Sequence, residues 1–214
     1  MSEASAVKTA PAAAHADESA KRKQIIEGAR ALFMSQGFDA ASMGEIARKA
    51  GVSKGTLYVY FDSKERLFEA IVEDERAGQA EQVFALDSAD HDVEAVLSRL
   101  GAAFVRFLCQ PAAISPLRTV IAIADRMPEV GRKFYEFGPM CGIARLSKYL
   151  QDQVVAGVLA IEDCEVAAAQ FLDSCQSTMF KPMMFNAGPP PTGARIAHVV
   201  GTAVRVFLRA YQKG

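Results

Sequence analysis

Apolar residues recur at three- and four-residue intervals along most of this 214-residue chain, with no alternating, strand-like stretch and no internal repeat. Ile25, Ile26, Ala29, Leu32 and Phe33 form the first such stripe and predict a helix from about Ser19 to Gln36, stopped by Gly37. Ile46, Ala47 and Ala50 predict a short second helix, and Leu57 and Phe61 a third. A fourth should open at Asp62-Ser63, where Asp62 and Glu65 have capping-box spacing, and run through Leu67, Phe68, Ile71 and Val72 to about Phe84. Beyond it, proline punctuates the pattern. One helix is expected from Val93 to Gln110, ended by Pro111. Another should start at Ser115-Pro116 and reach Asp125. A short one should follow Pro128, interrupted by Gly138-Pro139, and a longer one should run from about Met140 to Val155. Glu162-Asp163 should open a helix to about Lys181, which Pro182 ends or kinks. Thr192 then caps a last helix to Tyr211. The pattern predicts an all-α fold, with a small three-helix head (19–66) ahead of a larger helical body (67–214). Residues 1–18, rich in Ala and Ser, read as a disordered arm.

The stretch from Ser42 to Phe61 carries the most specific chemistry. Ser42 and Glu45 have the spacing of a capping box. Gly51 supplies the positive φ that stops one helix and turns the chain, and Ser53 can cap the next. The helix that follows has an unusual face. Lys54, Thr56, Tyr58 and Tyr60 are donors or flat aromatics, while Leu57 and Phe61 alone clearly want a core. Gly55 costs about 1 kcal/mol in a helix relative to Ala, unless its missing side chain lets another backbone come close. A short helix of this composition suits an N-terminal end offered to a DNA major groove.

The run Gly51-Val-Ser-Lys-Gly-Thr-Leu-Tyr-Val-Tyr-Phe-Asp-Ser-Lys-Glu-Arg-Leu67, within Lys21 to Leu67, closely resembles the DNA-binding domain of TetR-type transcriptional regulators. The resemblance implies an all-helical homodimer with a helix-turn-helix head and a ligand-sensing and dimerisation body. Its expected DNA contacts are Lys54, Gly55, Thr56 and Tyr58 toward bases and phosphates, and Ser42, Ser53 and Tyr60 toward the backbone. The family's matching lysine contacts the DNA backbone, which assigns the same to Lys64. Lys21 and Arg22, at the entrance to the first helix, suit phosphate or minor-groove contact.

Charge agrees with a phosphate-facing head. Lys21 to Arg66 holds nine Lys/Arg against five Asp/Glu, a balance of +4, whereas the chain as a whole carries −1. Cys109, Cys141, Cys164 and Cys175 lack Cys-x-x-Cys spacing, and His15, His91 and His198 lie far apart, so no metal site is expected. No Ser/His/Asp arrangement, carboxylate pair or phosphate-binding glycine loop points to catalysis or to a cofactor. With no secretory signal and no membrane-length apolar run, a reduced, cytoplasmic protein is expected.

In the body, Phe104, Phe107, Arg118, Ile121, Phe134, Phe137, Met140, Cys141, Phe171 and Cys175 are expected to line a cavity for a largely apolar or aromatic effector, with Arg118 as its polar anchor. Cys164, Ala167, Ala168, Phe171, Cys175 and Met179 stripe one helix. With the last helix, they suit a four-helix contact between two subunits. The sequence therefore predicts a ligand-responsive regulator, most simply a repressor that binds a palindromic operator as a dimer. The fourth helix would carry effector-induced movement to the head. The alternative is an all-helical small-molecule carrier or adaptor that has lost DNA binding.

Overall fold

The computed structural model describes residues 12–213 and their side chains, apart from the side chains of 12–17 and 73–82. The described residues form eleven α-helices and one π-helical turn: α1 (Ala12–Gln36), α2 (Met43–Lys49), α3 (Lys54–Tyr60), α4 (Lys64–Val83), α5 (Val93–Leu108), α6 (Pro111–Ile123), α7 (Pro128–Tyr135), the π-turn (Glu136–Met140), α8 (Cys141–Val155), α9 (Cys164–Gln176), α10 (Phe180–Met184) and α11 (Gly193–Tyr211). None of these helices alone is long and apolar enough to cross a membrane. The chain divides into two compact units, one ending at Ile71 and the other beginning at Val72.

In the first unit, the predicted stripe of α1 buries Ile25, Ile26, Ala29 and Phe33 together with Ile46, Ala47, Leu57 and Leu67. Phe33, Phe38 and Phe68 close a triangle of rings with centroids 5.3, 5.4 and 5.7 Å apart. A close approach and a hydrogen bond fix the crossing of α1 and α2. Gly28 lets the helices touch, for a Cβ there would lie 2.7 Å from Ala50 Cα. Gln24 Nε2 then donates 2.7 Å to the Ala50 carbonyl, satisfying an orphan acceptor at the end of α2. Gly37 and Gly51 have φ of 82° and 67°, the left-handed geometry that ends α1 and α2.

The second unit packs α5 and α9 against α11, and α8 against α9. Gly101 of α5 sits where a Cβ would meet Val200 at 2.8 Å and Cys175 Sγ at 2.9 Å. Phe171, Phe207 and Tyr211 stack edge-to-face beside it. Gln153, fully buried on α8, holds the loop before α5. Its Nε2 donates to the Ser88 carbonyl at 3.1 Å, and its Oε1 lies 2.8 Å from His91 Nδ1. Tyr149 Oη donates to the Asp90 carbonyl at 2.9 Å, and burial pushes its hydroxyl pKa up to about 12. An antiparallel bridge between Leu159 and Gln212 ties the α8–α9 loop to the end of α11.

Several boundaries differ from those the sequence predicts. α1 starts at Ala12 rather than Ser19, because the alanine-rich segment before Ser19 is strongly helix-forming. Residues 1–11 of the expected arm lie outside the described residues. Ser63, not Asp62, caps α4: its hydroxyl accepts from Arg66 N–H. α6 begins at Pro111, where a missing N–H costs nothing, and Pro116 lies inside it. Ala112, whose carbonyl loses its partner to Pro116, is exposed to water. Gly138-Pro139 does not break the chain into separate helices; it is taken up in the π-turn. α9 ends at Gln176, ahead of Pro182. Thr178 adopts a φ of 63°, and Pro182 falls in the first turn of α10, where proline is tolerated.

Candidate nucleic-acid interface and ligand cavity

The head presents α3 as a short helix anchored on one side. Leu57 is fully buried and Phe61 nearly so, which fixes the opposite flank outward. The capping box before α2 is complete: Ser42 Oγ accepts from Glu45 N–H, and the Glu45 carboxylate takes the Ser42 N–H at 3.0 Å and its hydroxyl at 2.7 Å. These Ser42 bonds hold the Glu45 carboxyl below the usual glutamate range. Ser53 caps α3 by accepting from Thr56 N–H at 3.0 Å, and the two hydroxyls lie 2.8 Å apart. Ser42, Ser53 and Thr56 are therefore engaged in holding the motif together.

The outward flank consists of Lys54, Gly55, Tyr58 and Val59, all exposed, with Tyr60 half-buried beside them. The Lys54 side chain lies across Gly44, where a Cβ would come within 2.8 Å of its Cε. At Gly55 a Cβ would meet only Ser53 Oγ, at an ordinary 3.7 Å, so nothing inside the protein demands glycine there. Val59 is 81% exposed and was missed by the sequence reading. Its signal was present, since only Leu57 and Phe61 had a claim on the core. This flank offers a cation, a close backbone approach, a phenol and a branched methyl pair, the groups that meet phosphates and base edges in a major groove.

The remaining predicted contacts have intramolecular partners. Lys64 Nζ donates to the carbonyls of Phe38, Asp39 and Ala41 at 3.0, 3.3 and 3.4 Å and lies 4.6 Å from the centre of the Phe38 ring. Its ammonium, expected on a DNA phosphate, closes the α1–α2 loop in this structure. Arg22 stacks over Phe61 at 5.4 Å, and Lys21 donates to Gln24 at 3.1 Å.

The body contains a cavity of about 420 Å³. Phe84, Phe104, Phe107, Leu117, Ile121, Phe134 and Leu172 supply most of its apolar wall; Gly138, Pro139 and Gly142 form a flat side, and Phe180 and Met184 of α10 complete it. Asp173 and Gln176 add a polar edge. Gly142 is small for a reason: a Cβ there would lie 2.8 Å from Phe84 Cζ.

Of the predicted lining, Phe104, Phe107, Ile121 and Phe134 meet at this cavity and the others do not. Arg118, expected as the polar anchor, lies outside the cavity lining. Its Nε donates 2.9 Å to the Met184 carbonyl and its Nη2 2.5 Å to that of Met183, latching α10 to α6. Phe171 and Cys175 are buried in the core around Gly101, and burial pushes the Cys175 thiol pKa up to about 12. Phe137 and Met140 are 47% and 45% exposed, and Cys141 is half-buried off the wall, because the wide π-turn aims Phe134, Gly138 with Pro139, and Gly142 with Ile143 at the cavity instead. The α9 stripe expected between subunits is also corrected. Cys164, Ala167, Ala168, Phe171, Cys175 and Met179 are all buried within their own chain, whereas Val166 of α9 and Val206 of α11 are 48% and 64% exposed.

Comparison with known proteins follows the same division. Residues 25–71 match the family profile of bacterial regulatory proteins of the tetR family, and residues 95–213 match that of the AefR-like transcriptional repressor C-terminal domain. The chain is 37% identical over 87 residues to the HTH-type transcriptional regulator UidR of Escherichia coli, a match spanning 39% of this chain and 44% of that protein. Across nearly the whole length it resembles a crystal structure described as a TetR-family transcriptional regulator from Mesorhizobium loti, with 31% identity, a TM-score of 0.85 and coverage of 91% and 98% of the two chains. It also resembles the flavonoid-responsive regulator FrrA, with 30% identity, a TM-score of 0.78 and the same coverage.

Proposed function

The chain belongs to the TetR family of transcriptional regulators, as a helix-turn-helix DNA-binding protein and not an enzyme, and we propose that it represses by binding a palindromic operator as a homodimer and is released by an apolar or aromatic effector. The observation that carries this reading is the presence in one chain of an exposed outward flank on α3 and an aromatic-walled cavity in the body. Lys54, Gly55, Tyr58 and Val59 read the operator, while Ser42, Ser53, Thr56 and Tyr60 hold that flank in register. In the free head Lys64, Lys21 and Arg22 are internally engaged, and on DNA they give up those contacts for phosphates.

The effector occupies the 420 Å³ cavity, a size suited to a small organic molecule. That a 30% identical relative is flavonoid-responsive supports an aromatic ligand. α4 carries the signal, since the boundary between the two units falls within its length. The second subunit docks on the outer faces of α9 and α11, where Val166 and Val206 are left exposed. Function on DNA places the protein in the cytoplasm.

Selection of random duplexes by the full chain at physiological salt tests this reading. An enriched inverted repeat, lost in Tyr58→Ala and weakened by the cavity ligand, is the expected result. A folded protein that enriches no repeat would overturn it in favour of the carrier alternative.

A further inference from the structure

The cavity wall is apolar except along one edge. There, Asp173 and Gln176 sit one turn apart on α9, and Gln176 Nε2 donates 2.7 Å to Asp173 Oδ1. The carboxylate can only accept, so this bond fixes the orientation of the Gln176 amide. It commits one of the two Gln176 N–H groups, leaving the other as a donor and Asp173 Oδ2 and Gln176 Oε1 as acceptors. No Lys, Arg or His is among the described lining residues. Arg118, the cation the sequence offered, spends its fork on the carbonyls of Met183 and Met184.

We propose that Asp173 and Gln176 are the specificity-determining edge of the effector site, selecting an aromatic ligand that brings an O–H or N–H donor and rejecting one that brings a carboxylate. The inference rests on the reading of the cavity as the effector site. A phenol or amine reaching the edge makes a charge-assisted hydrogen bond to Asp173. A carboxylate entering the same wall finds five phenylalanine rings (Phe84, Phe104, Phe107, Phe134 and Phe180), no counter-ion and a like charge. Asp173 is exposed on its other side, so water screens part of that repulsion and the selection is moderate rather than absolute.

The test uses three chalcones that differ at one position, titrated into the full-length protein by calorimetry. 4-Hydroxychalcone should bind about tenfold tighter than 4-carboxychalcone, with unsubstituted chalcone between them. Asp173→Asn, an isosteric change at an exposed position, should bring the hydroxy and carboxy compounds to within about threefold of each other, mainly by improving the latter. Equal binding of the two by the parent protein, or a gap that Asp173→Asn leaves unchanged, would overturn the proposal. Failure of the underlying reading looks different. In that case none of the three compounds binds, or binding survives in Ala169→Leu, which enlarges a side chain on the cavity wall, and the selectivity claim falls with it.

Discussion

Replacing Gly28 by alanine should loosen the head, although alanine is the better helix former. The added Cβ would stand 2.7 Å from both Cα and Cβ of Ala50 and 2.8 Å from its nitrogen. Carbon atoms in contact prefer about 3.5–4.0 Å, so the end of α2 must retreat from α1 by roughly 1 Å. Two of the three obstructing atoms are backbone, and no change of rotamer relieves them. The retreat also stretches the 2.7 Å bond from Gln24 to the Ala50 carbonyl. Overpacking of this kind costs about 1–3 kcal/mol, and losing the hydrogen bond costs about 1 kcal/mol. Alanine's helix propensity returns about 1 kcal/mol. The net expectation is a loss of about 1–3 kcal/mol, a considerable part of a marginal stability. Native-state hydrogen exchange reads it directly, since amides of α2 should exchange faster by that free energy while those of α11 keep their protection. A Gly28→Ala protein whose α2 amides exchange no faster than the parent's would refute the close crossing on which the estimate stands.

Gly55→Ala should give the opposite result in stability. Its Cβ enters ordinary contact at 3.7 Å, so the head should be unchanged or up to about 1 kcal/mol more stable, yet operator affinity in a gel-shift assay should fall because the outward flank no longer admits a backbone. Arg118→Ala removes the fork that holds α10, and exchange in Phe180–Met184 should accelerate while α5 and α11 stay protected. In a thiol-labelling assay on the native protein, Cys141 should react first. Cys109, Cys164 and Cys175 are buried, and their thiols are pushed above the ordinary range, Cys175 to about 12. Those raised values also set an alkaline limit. A thiol kept neutral in the fold but ionised when unfolded adds stability below the ordinary thiol pKa and loses it as pH rises toward 12. The urea midpoint should therefore fall between about pH 9 and 11, and fall less in Cys175→Ala.

What the sequence made legible was local. Ser42 and Glu45 lie three residues apart, and their box depends on nothing else in the chain. Gly51, Ser53 and the buried Leu57 follow for the same reason. Asp62 was mistaken for the cap that Ser63 provides, because both residue types cap and they are adjacent. Arg118 reads in sequence as the polar anchor of an apolar pocket because it is a cation among aromatic and aliphatic neighbours. Its partners, Met183 and Met184, are 65 and 66 residues away. The α9 stripe was correctly read as buried, but periodicity says only that a face is covered. Whether the cover is the same chain or another depends on where α5 and α11 lie. Gln176 and Asp173 escape for a further reason: a polar residue on a cavity edge has no periodic signature.

The π-turn gives the α7–α8 rod a step in phase. An α-helix advances about 100° per residue, so Phe134 and Gly142, eight steps apart, would stand about 80° apart on a regular helix. The wider π winding takes up one residue and keeps both on the cavity wall. Deleting Pro139 would restore regular winding with seven steps between them, about 20° short of two full turns, and leave both on that wall. A further residue inserted there, with nothing to take it up, would turn Phe134 about 100° off it. By the same logic, a lineage carrying this fold could reshape what its cavity holds with one insertion, leaving every wall residue in place in the sequence.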